Sequence, residues 1–231
     1  RPKMVLREVA SPVQARRGDP YVQNRIGYRL APLLYPRADL VVALTEGARR
    51  ELVEVFRVPA AKAARLGTNA VLTAPMRDAL VRAERRPEPG LVVAVGRLSP
   101  EKDFSTLIDA VAVLAPRRAP RLVIAGEGPE RPQLEARIAA HGLGGVVELA
   151  GFLPDPVPLL LRASLFVSSS RYEGFGNAII EALACGVPVI STDAPHGPRE
   201  ILDGGRWGDL VPVGDVPALA AAIAAALDGP R

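Results

Sequence analysis

Leu91-Val-Val-Ala-Val95 is an unbroken apolar run with no polar position to turn toward water. A strand of that kind is buried on both faces, which sets it inside a parallel sheet covered by helices on two sides. The rest of the chain agrees, because strand-like and helix-like periods alternate throughout, the signature of parallel α/β layers. Downstream, helices are expected over Phe104–Leu114, Glu130–His141 and Asn177–Ala184, with a short one near Pro156–Arg162. Strands are expected over Arg121–Ala125, Val146–Leu149, Leu165–Ser168 and Val187–Thr192, and Asp215 is placed to cap a last Ala-rich helix, Val216–Leu227. Residues 91–231 therefore read as a complete doubly wound domain.

Residues 1–75 read as half of one. Strand Lys3–Val9, helix Tyr21–Tyr35, strand Asp39–Leu44, helix Glu46–Phe56 capped by Thr45, and a short element around Ala64–Val71 supply about three strands. A polar, Pro-containing connection follows over Thr73–Gly90, and Arg82–Gly90 has a linker's composition, so 76–90 is taken as the interdomain segment. A half-domain leaves strand edges and helix faces uncovered. Residues 1–75 are thus expected to be less ordered, or prone to aggregate, in isolation.

The 231 residues are 48% apolar and 23% charged, which describes a folded soluble chain rather than a disordered one. A net charge of +4 fits either attraction to phosphates and anionic membrane surfaces or a general arginine-rich background, since the arginines are scattered. Aromatics are only 4%, with no recognisable reading helix, so no nucleic-acid partner is expected. No apolar run approaches the roughly 18 residues of a membrane span. The single Cys185 cannot form an internal disulfide, fits a reducing compartment, and is expected to be a buried small apolar residue. No leader segment is visible, but the chain begins at Arg1 rather than Met, so this says little about targeting.

Ligand groups gather at four strand-to-helix junctions, all at the carboxyl edge of the sheet where open parallel sheets bind ligands. Gly96-Arg97-Leu-Ser99-Pro-Glu101-Lys102 offers two cations beside a helix start, able to neutralise a diphosphate; a solvated loop with Lys102 paired to Glu101 is the plain alternative. Gly126-Glu127-Gly128-Pro129-Glu130 superficially matches a dinucleotide fingerprint. Arg131 replaces its third glycine, however, and Glu127 and Glu130 would repel a pyrophosphate, so a tight turn supporting the site is the better reading. Ala150-Gly151-Phe152-Leu153 could present backbone to a nucleobase or be an ordinary loop.

The fourth junction runs from Ser168 to Asp193. Two carboxylates, Glu173 and Glu181, stand eight positions apart around Gly174 and Gly176, ahead of a helix whose N-terminus favours an anion. That spacing alone is common. Backbone amides for an anion and acceptor-only carboxylates for hydroxyls nevertheless suit a nucleotide sugar. Glu181 has a structural alternative as a carboxylate at a helix N-terminus. His141 and His196 are too isolated for a metal site, although His196 lies near the expected pocket and a substrate contact stays open.

Gly96-Arg97…Glu101-Lys102, Gly126-Glu127-Gly128-Pro129, Gly151-Phe152, Glu173-Gly-Phe-Gly…Glu181-Ala…Gly186-Val-Pro188-Val and Asp193…Gly197-Pro-Arg-Glu200 stand in the order found in GT-B-fold glycosyltransferases. Specifically, the chain resembles the large retaining family 4 of nucleotide-sugar transferases, across residues 90–231 and more loosely 38–80. The resemblance implies an α/β, GT-B-like fold: a doubly wound C-terminal donor domain (91–231) and a partial N-terminal, acceptor-side Rossmann-like domain (1–75). It also implies roles. Arg97 and Lys102 would hold the donor diphosphate, assisted by amides near Gly176 and Asn177, and Glu181 would accept the ribose hydroxyls. Glu173 would contact the transferred sugar, Phe175 and Gly176 would shape its pocket, Gly126 would lie close to the ligand, and the backbone near Phe152 would meet the base.

No Asp-x-Asp occurs, so no metal clamp on the diphosphate is expected, and fixed cations with a helix N-terminus would take that electrostatic role. No cofactor is implied, because the nucleotide sugar, with a UDP-sugar favoured, is a substrate. The acceptor would be a glycan or a lipid-linked molecule, with the protein in the cytoplasm or peripheral at the inner face of the membrane. Members of the family are commonly longer, so the chain is expected to be truncated at both ends and to be incomplete or inactive alone. Gly67-Thr-Asn69-Ala-Val71 also departs from the usual Asn-Pro turn. Two other readings stay open: a non-catalytic nucleotide-sugar binding module, and a nucleotide-sugar epimerase of the same architecture, which would need an acidic and His constellation not found here.

Overall fold

The computed structural model describes residues 3–8, 11–18, 22–67, 71–82, 84–116 and 120–229. Strands β1 (Val5–Glu8), β2 (Leu40–Ala43) and β3 (Ala63–Arg65) form one parallel sheet in the order β1-β2-β3. Helices α1 (Pro12–Gly18) and α2 (Val22–Leu34) join β1 to β2, and α3 (Glu46–Glu54) joins β2 to β3. Thr45 begins α3 as expected: its hydroxyl accepts from the Ala48 N–H at 3.1 Å, a cap of about 1 kcal/mol. Leu52, Phe56, Val41 and Ala43 lie at the centre of this half's own core.

Helix α4 (Ala74–Arg82) occupies part of the segment expected to be an irregular connection. Its start carries the usual chemistry, with Thr73 Oγ1 accepting from the Met76 N–H and Pro75 in the first turn. Met76 and Leu80, four residues apart, pack onto the core of the larger sheet and hold the helix there.

The larger sheet contains β4 (Leu91–Val95), β5 (Arg121–Ala125), β6 (Val147–Gly151), β7 (Leu165–Ser168), β8 (Val189–Thr192) and β9 (Asp209–Val211) in the order β6-β5-β4-β7-β8-β9. Among the described residues every strand pairing in both sheets is parallel. Side chains of a strand alternate between faces, and β4 shows the result. Val92 and Ala94 face a core built with α5 (Phe104–Leu114), α6 (Arg131–Ala140) and α10 (Val216–Asp228). Leu91 and Val93 face the opposite core, with α7 (Val157–Arg162) and α8 (Asn177–Ala184). This is the doubly wound arrangement that the apolar run requires.

Asp215 caps α10 through the Ala218 N–H at 2.9 Å. Cys185 lies in the second core, where burial pushes its thiol up to about 11, as suits a small apolar residue. Two further short elements, α9 (Gly197–Ile201) and β9, were not foreseen. The expected element over Ala64–Val71 is the three-residue β3, and Thr68, Asn69 and Ala70 lie outside the described residues, as do Val9 and Tyr21 at the ends of two expected elements.

Strand order reverses at β4. The chain proceeds outward from β4 through β5 to β6, then returns to the other side of β4 as β7 and proceeds through β8 to β9. At such a switch point the two connecting loops diverge and leave a crevice beyond the carboxyl ends of the strands. Here that crevice lies between the loops after β4 and β7.

Candidate functional site

Two adjoining pockets open at the carboxyl edge of the sheet, one at the switch point between the loops after β4 and β7 and one beside it among the loops after β4, β5 and β6. The first, of about 330 Å³, is lined by Lys102, Glu173, Phe175, Gly176, Asn177 and Glu181, among others. The second, of about 420 Å³, is lined by Arg97, Gly126, Glu127, Phe152 and Leu153. Val95 and Gly96, at the end of β4, border both. All nine residues singled out from the sequence therefore fall around one continuous crevice.

Glycine permits the second pocket's close walls. A Cβ on Gly126 would stand 1.8 Å from the Gly96 carbonyl oxygen, and one on Gly128 would stand 2.2 Å from that of Leu98. The Leu98 N–H donates to the Glu127 carbonyl at 2.9 Å and the Glu130 N–H to the Leu98 carbonyl at 3.0 Å, so the two loops are bound backbone to backbone. Glu127, in the lining of this pocket, pairs with Arg131 at 2.6 Å, which holds its carboxyl below the usual range. The Phe152 side chain is 72% exposed at the rim of this pocket.

In the first pocket Lys102 Nζ donates to Glu173 Oε1 at 2.5 Å. Glu101, the partner considered for Lys102, instead accepts from Ser99 Oγ. Buried Asp103 adopts a left-handed conformation (φ 46°) and begins α5, and its carboxylate pairs with Arg171 at 3.0 Å. Gly176, at φ 98°, turns the chain into α8, so the first amides of that helix border the pocket. Glu181 lies one turn further along α8, not in its first turn, which disposes of the helix N-terminal alternative. Burial, then the nearby Asp155 charge, raises the Glu181 pKa. A carboxylate held in such surroundings gains most from a partner that donates hydrogen bonds.

The two halves meet beside this pocket. His196 Nε2 reaches Glu51 of α3, and its backbone forms an isolated parallel bridge with Glu173. Glu200 accepts from the Glu46 and Gly47 N–H groups at the start of α3, at 3.0 and 2.9 Å, and pairs with Arg65 at 3.3 Å. His141, by contrast, belongs to a pair with Asp109 on the far helices. Sequence reasoning missed the parts played by Ser170, Arg171, Asp103 and the inter-half pairs. Of these pairs, only His196, which it set near the pocket as an open substrate contact, and the Gly197-Pro-Arg-Glu200 motif carried any trace.

The family description "Glycosyl transferases group 1" matches residues 76–231, more than half of the chain. The chain belongs to this family. A relative, the N-acetylgalactosamine-N,N'-diacetylbacillosaminyl-diphospho-undecaprenol 4-alpha-N-acetylgalactosaminyltransferase of Campylobacter jejuni, is 34% identical over 184 residues, 80% of this chain and 49% of that protein. HepE of Anabaena, solved in complex with UDP and glucose, superimposes with a TM-score of 0.74 at 25% identity, over 98% of this chain and 62% of that one. TarM of S. aureus, solved as a mutant with Fondaparinux, alpha-GlcNAc-glycerol and UDP, gives 0.81 at 20% identity over 98% of this chain and 44% of that one, a likeness of fold. These neighbours give the GT-B α/β class for this chain. The chain spans about half the length of the curated relatives it matches. Among the described residues no helix is long and apolar enough to cross a membrane.

Proposed function

We propose that this chain carries the donor site of a glycosyltransferase that moves a sugar from a nucleotide diphosphate, with UDP favoured, to a glycan or lipid-linked acceptor. The observation behind this reading is the convergence at one crevice of two cations, the Glu173 and Glu181 carboxylates and a helix N-terminus, with the third carboxylate there, Glu127, paired to Arg131. Each chemical part of a nucleotide sugar has a matching group there. Arg97, Lys102 and the first amides of α8 are suited to the diphosphate. Glu181 is suited to the ribose hydroxyls and Glu173 to those of the transferred sugar. The crevice by Gly126 and Phe152 is suited to the base. UDP in the HepE and TarM structures supports the uridine preference.

In this reading transfer proceeds with retention and without a metal. Charge accumulates on the departing nucleoside diphosphate, where Arg97 and Lys102 stabilise it most as the bond breaks. Closure of the two halves excludes water and suppresses donor hydrolysis. The same proposal divides the chain into an acceptor-side part (1–75), a connection (76–90) and a donor part (91–231), and sets it in the cytoplasm, where one unpaired buried thiol is at home.

Calorimetric titration with UDP, GDP and ADP tests the site. UDP is expected to bind best, and Arg97→Ala to lose about 1.5–3 kcal/mol, the worth of a charged hydrogen bond. Unchanged affinity in both Arg97→Ala and Glu181→Ala would remove the basis for the assignment. Incubation with a UDP-sugar and a candidate acceptor then separates transfer from binding alone.

A further inference from the structure

The two oxygens of Glu173 have different surroundings. Oε1 accepts from Lys102 Nζ at 2.5 Å and from Ser170 Oγ at 2.7 Å. Oε2 accepts no hydrogen bond among the described residues, and Glu173 lines the first pocket. Ser170 is 1% exposed and lines neither pocket, so its hydroxyl is held for the carboxylate and not for a ligand.

The backbone around this serine is fixed from several directions. Thr192 Oγ1, at the end of β8, donates to the Ser170 carbonyl at 2.6 Å. Ser169 Oγ donates to the Lys102 carbonyl at 2.8 Å, and the Arg171 N–H donates to the Glu101 carbonyl at 2.8 Å. The Arg171–Asp103 ion pair closes the stitch between the two loops. None of these bonds holds the Lys102 side chain, which is tied through its ammonium to Glu173 and whose stem lies over Gly96, 3.4 Å from where a Cβ would be.

A lysine that serves a diphosphate must turn its ammonium from Glu173 toward the phosphates. That move would leave a nearly buried carboxylate oxygen without its charged donor, an outcome more costly than the hydrogen bond itself is worth. We infer that Ser170 is a positioning residue for donor binding: its hydroxyl keeps Glu173 Oε1 satisfied when Lys102 turns away, and keeps Oε2 facing the pocket. The inference rests on the donor-site reading above. It makes Lys102 a group shared between the resting carboxylate and the incoming anion, with Ser170 lowering the cost of the exchange.

A serine that merely braces its loop acts regardless of what stands at position 173. A serine that permits the exchange acts only while position 173 is a carboxylate. UDP affinity measured by calorimetry for the native chain, Ser170→Ala, Glu173→Gln and the double variant separates the two, with thermal melts confirming that each is folded. Ser170→Ala is expected to weaken UDP binding roughly tenfold, while in the Glu173→Gln background the same change has an effect under about twofold. Ser170→Cys, which fills the same space with a weaker donor, is expected to weaken binding in the same sense and serves if the alanine variant does not fold. Equal losses in both backgrounds, or no loss in either, overturn the role of Ser170 and leave the donor site standing. A native chain that does not bind UDP overturns the donor-site reading and this inference with it.

Discussion

His196 donates through Nε2 to Glu51 Oε1 at 2.8 Å, joining residues 145 positions apart in the chain. The same Glu51 carboxylate accepts from the Ser11 hydroxyl and the Val13 N–H at the start of α1. On its other side, the His196 backbone pairs with that of Glu173. One residue thus stands between the anchoring carboxylate of the first half and the pocket of the second.

This contact should fail in acid. Burial alone would raise the Glu51 pKa, but the hydrogen bonds from His196, Val13 and Ser11 outweigh it and hold the carboxyl below its usual value. A depressed folded-state value stabilises the protein above the unfolded pKa, and that stability is lost as pH falls through the folded one. Denaturant unfolding of native and Glu51→Gln proteins should therefore differ at neutral pH and converge below about pH 4. A constant gap across that range would refute the linkage.

Glu181 has the opposite sign. Its raised pKa means that folding opposes its ionisation, a cost present above the folded value and relieved as pH falls through it. Glu181→Gln is expected to melt higher than the native protein at pH 7, with the difference shrinking in acid. Binding should move the other way, with UDP affinity falling roughly tenfold as an ionised acceptor is lost. A variant that melts lower and binds equally well would contradict both halves of the argument.

Glu200 joins the halves through backbone amides, acting as a cap on α3 supplied from another part of the chain. Glu200→Ala should cost about 0.5–2 kcal/mol in denaturant unfolding, the range for loss of a helix cap. The Arg65 pair is exposed enough to add little. If Arg65→Ala costs as much as Glu200→Ala, the ion pair and not the cap is the source.

Gly126→Ala should be destabilising by about 1–3 kcal/mol or more, because its methyl would meet the Gly96 carbonyl, which belongs to backbone and cannot rotate aside. The measurement is a melt together with UDP titration. Loss of both stability and affinity is expected, since the displaced residue borders both pockets.

Local chemistry made much of this molecule legible in advance. The apolar run at 91–95, the caps at Thr45 and Asp215, and the loop glycines each announce their structure from their own residues. What stayed hidden depends on neighbours distant in sequence. Helix α4 looks like a linker until Met76 and Leu80 find the core. Strand β9 is three residues long, too short for any period to show. Ser170 differs in no local respect from Ser168 or Ser169, and only folding sets its hydroxyl against Glu173.

The all-parallel pairing also sets a timetable. Val92 of β4 pairs with Leu165 of β7 across two intervening strands and three helices, so this pairing closes the longest loop around the central strand. Its entropic cost falls due before its contacts form, which makes such pairings slow. During refolding, pulse-labelled amides of β5 are expected to gain protection before those of β7, and simultaneous protection would contradict this order. In the interval one edge of Leu91–Val95 stands uncovered, an apolar strand open to a second chain. The crevice bordered by those two strands would then be among the last features of the molecule to take shape.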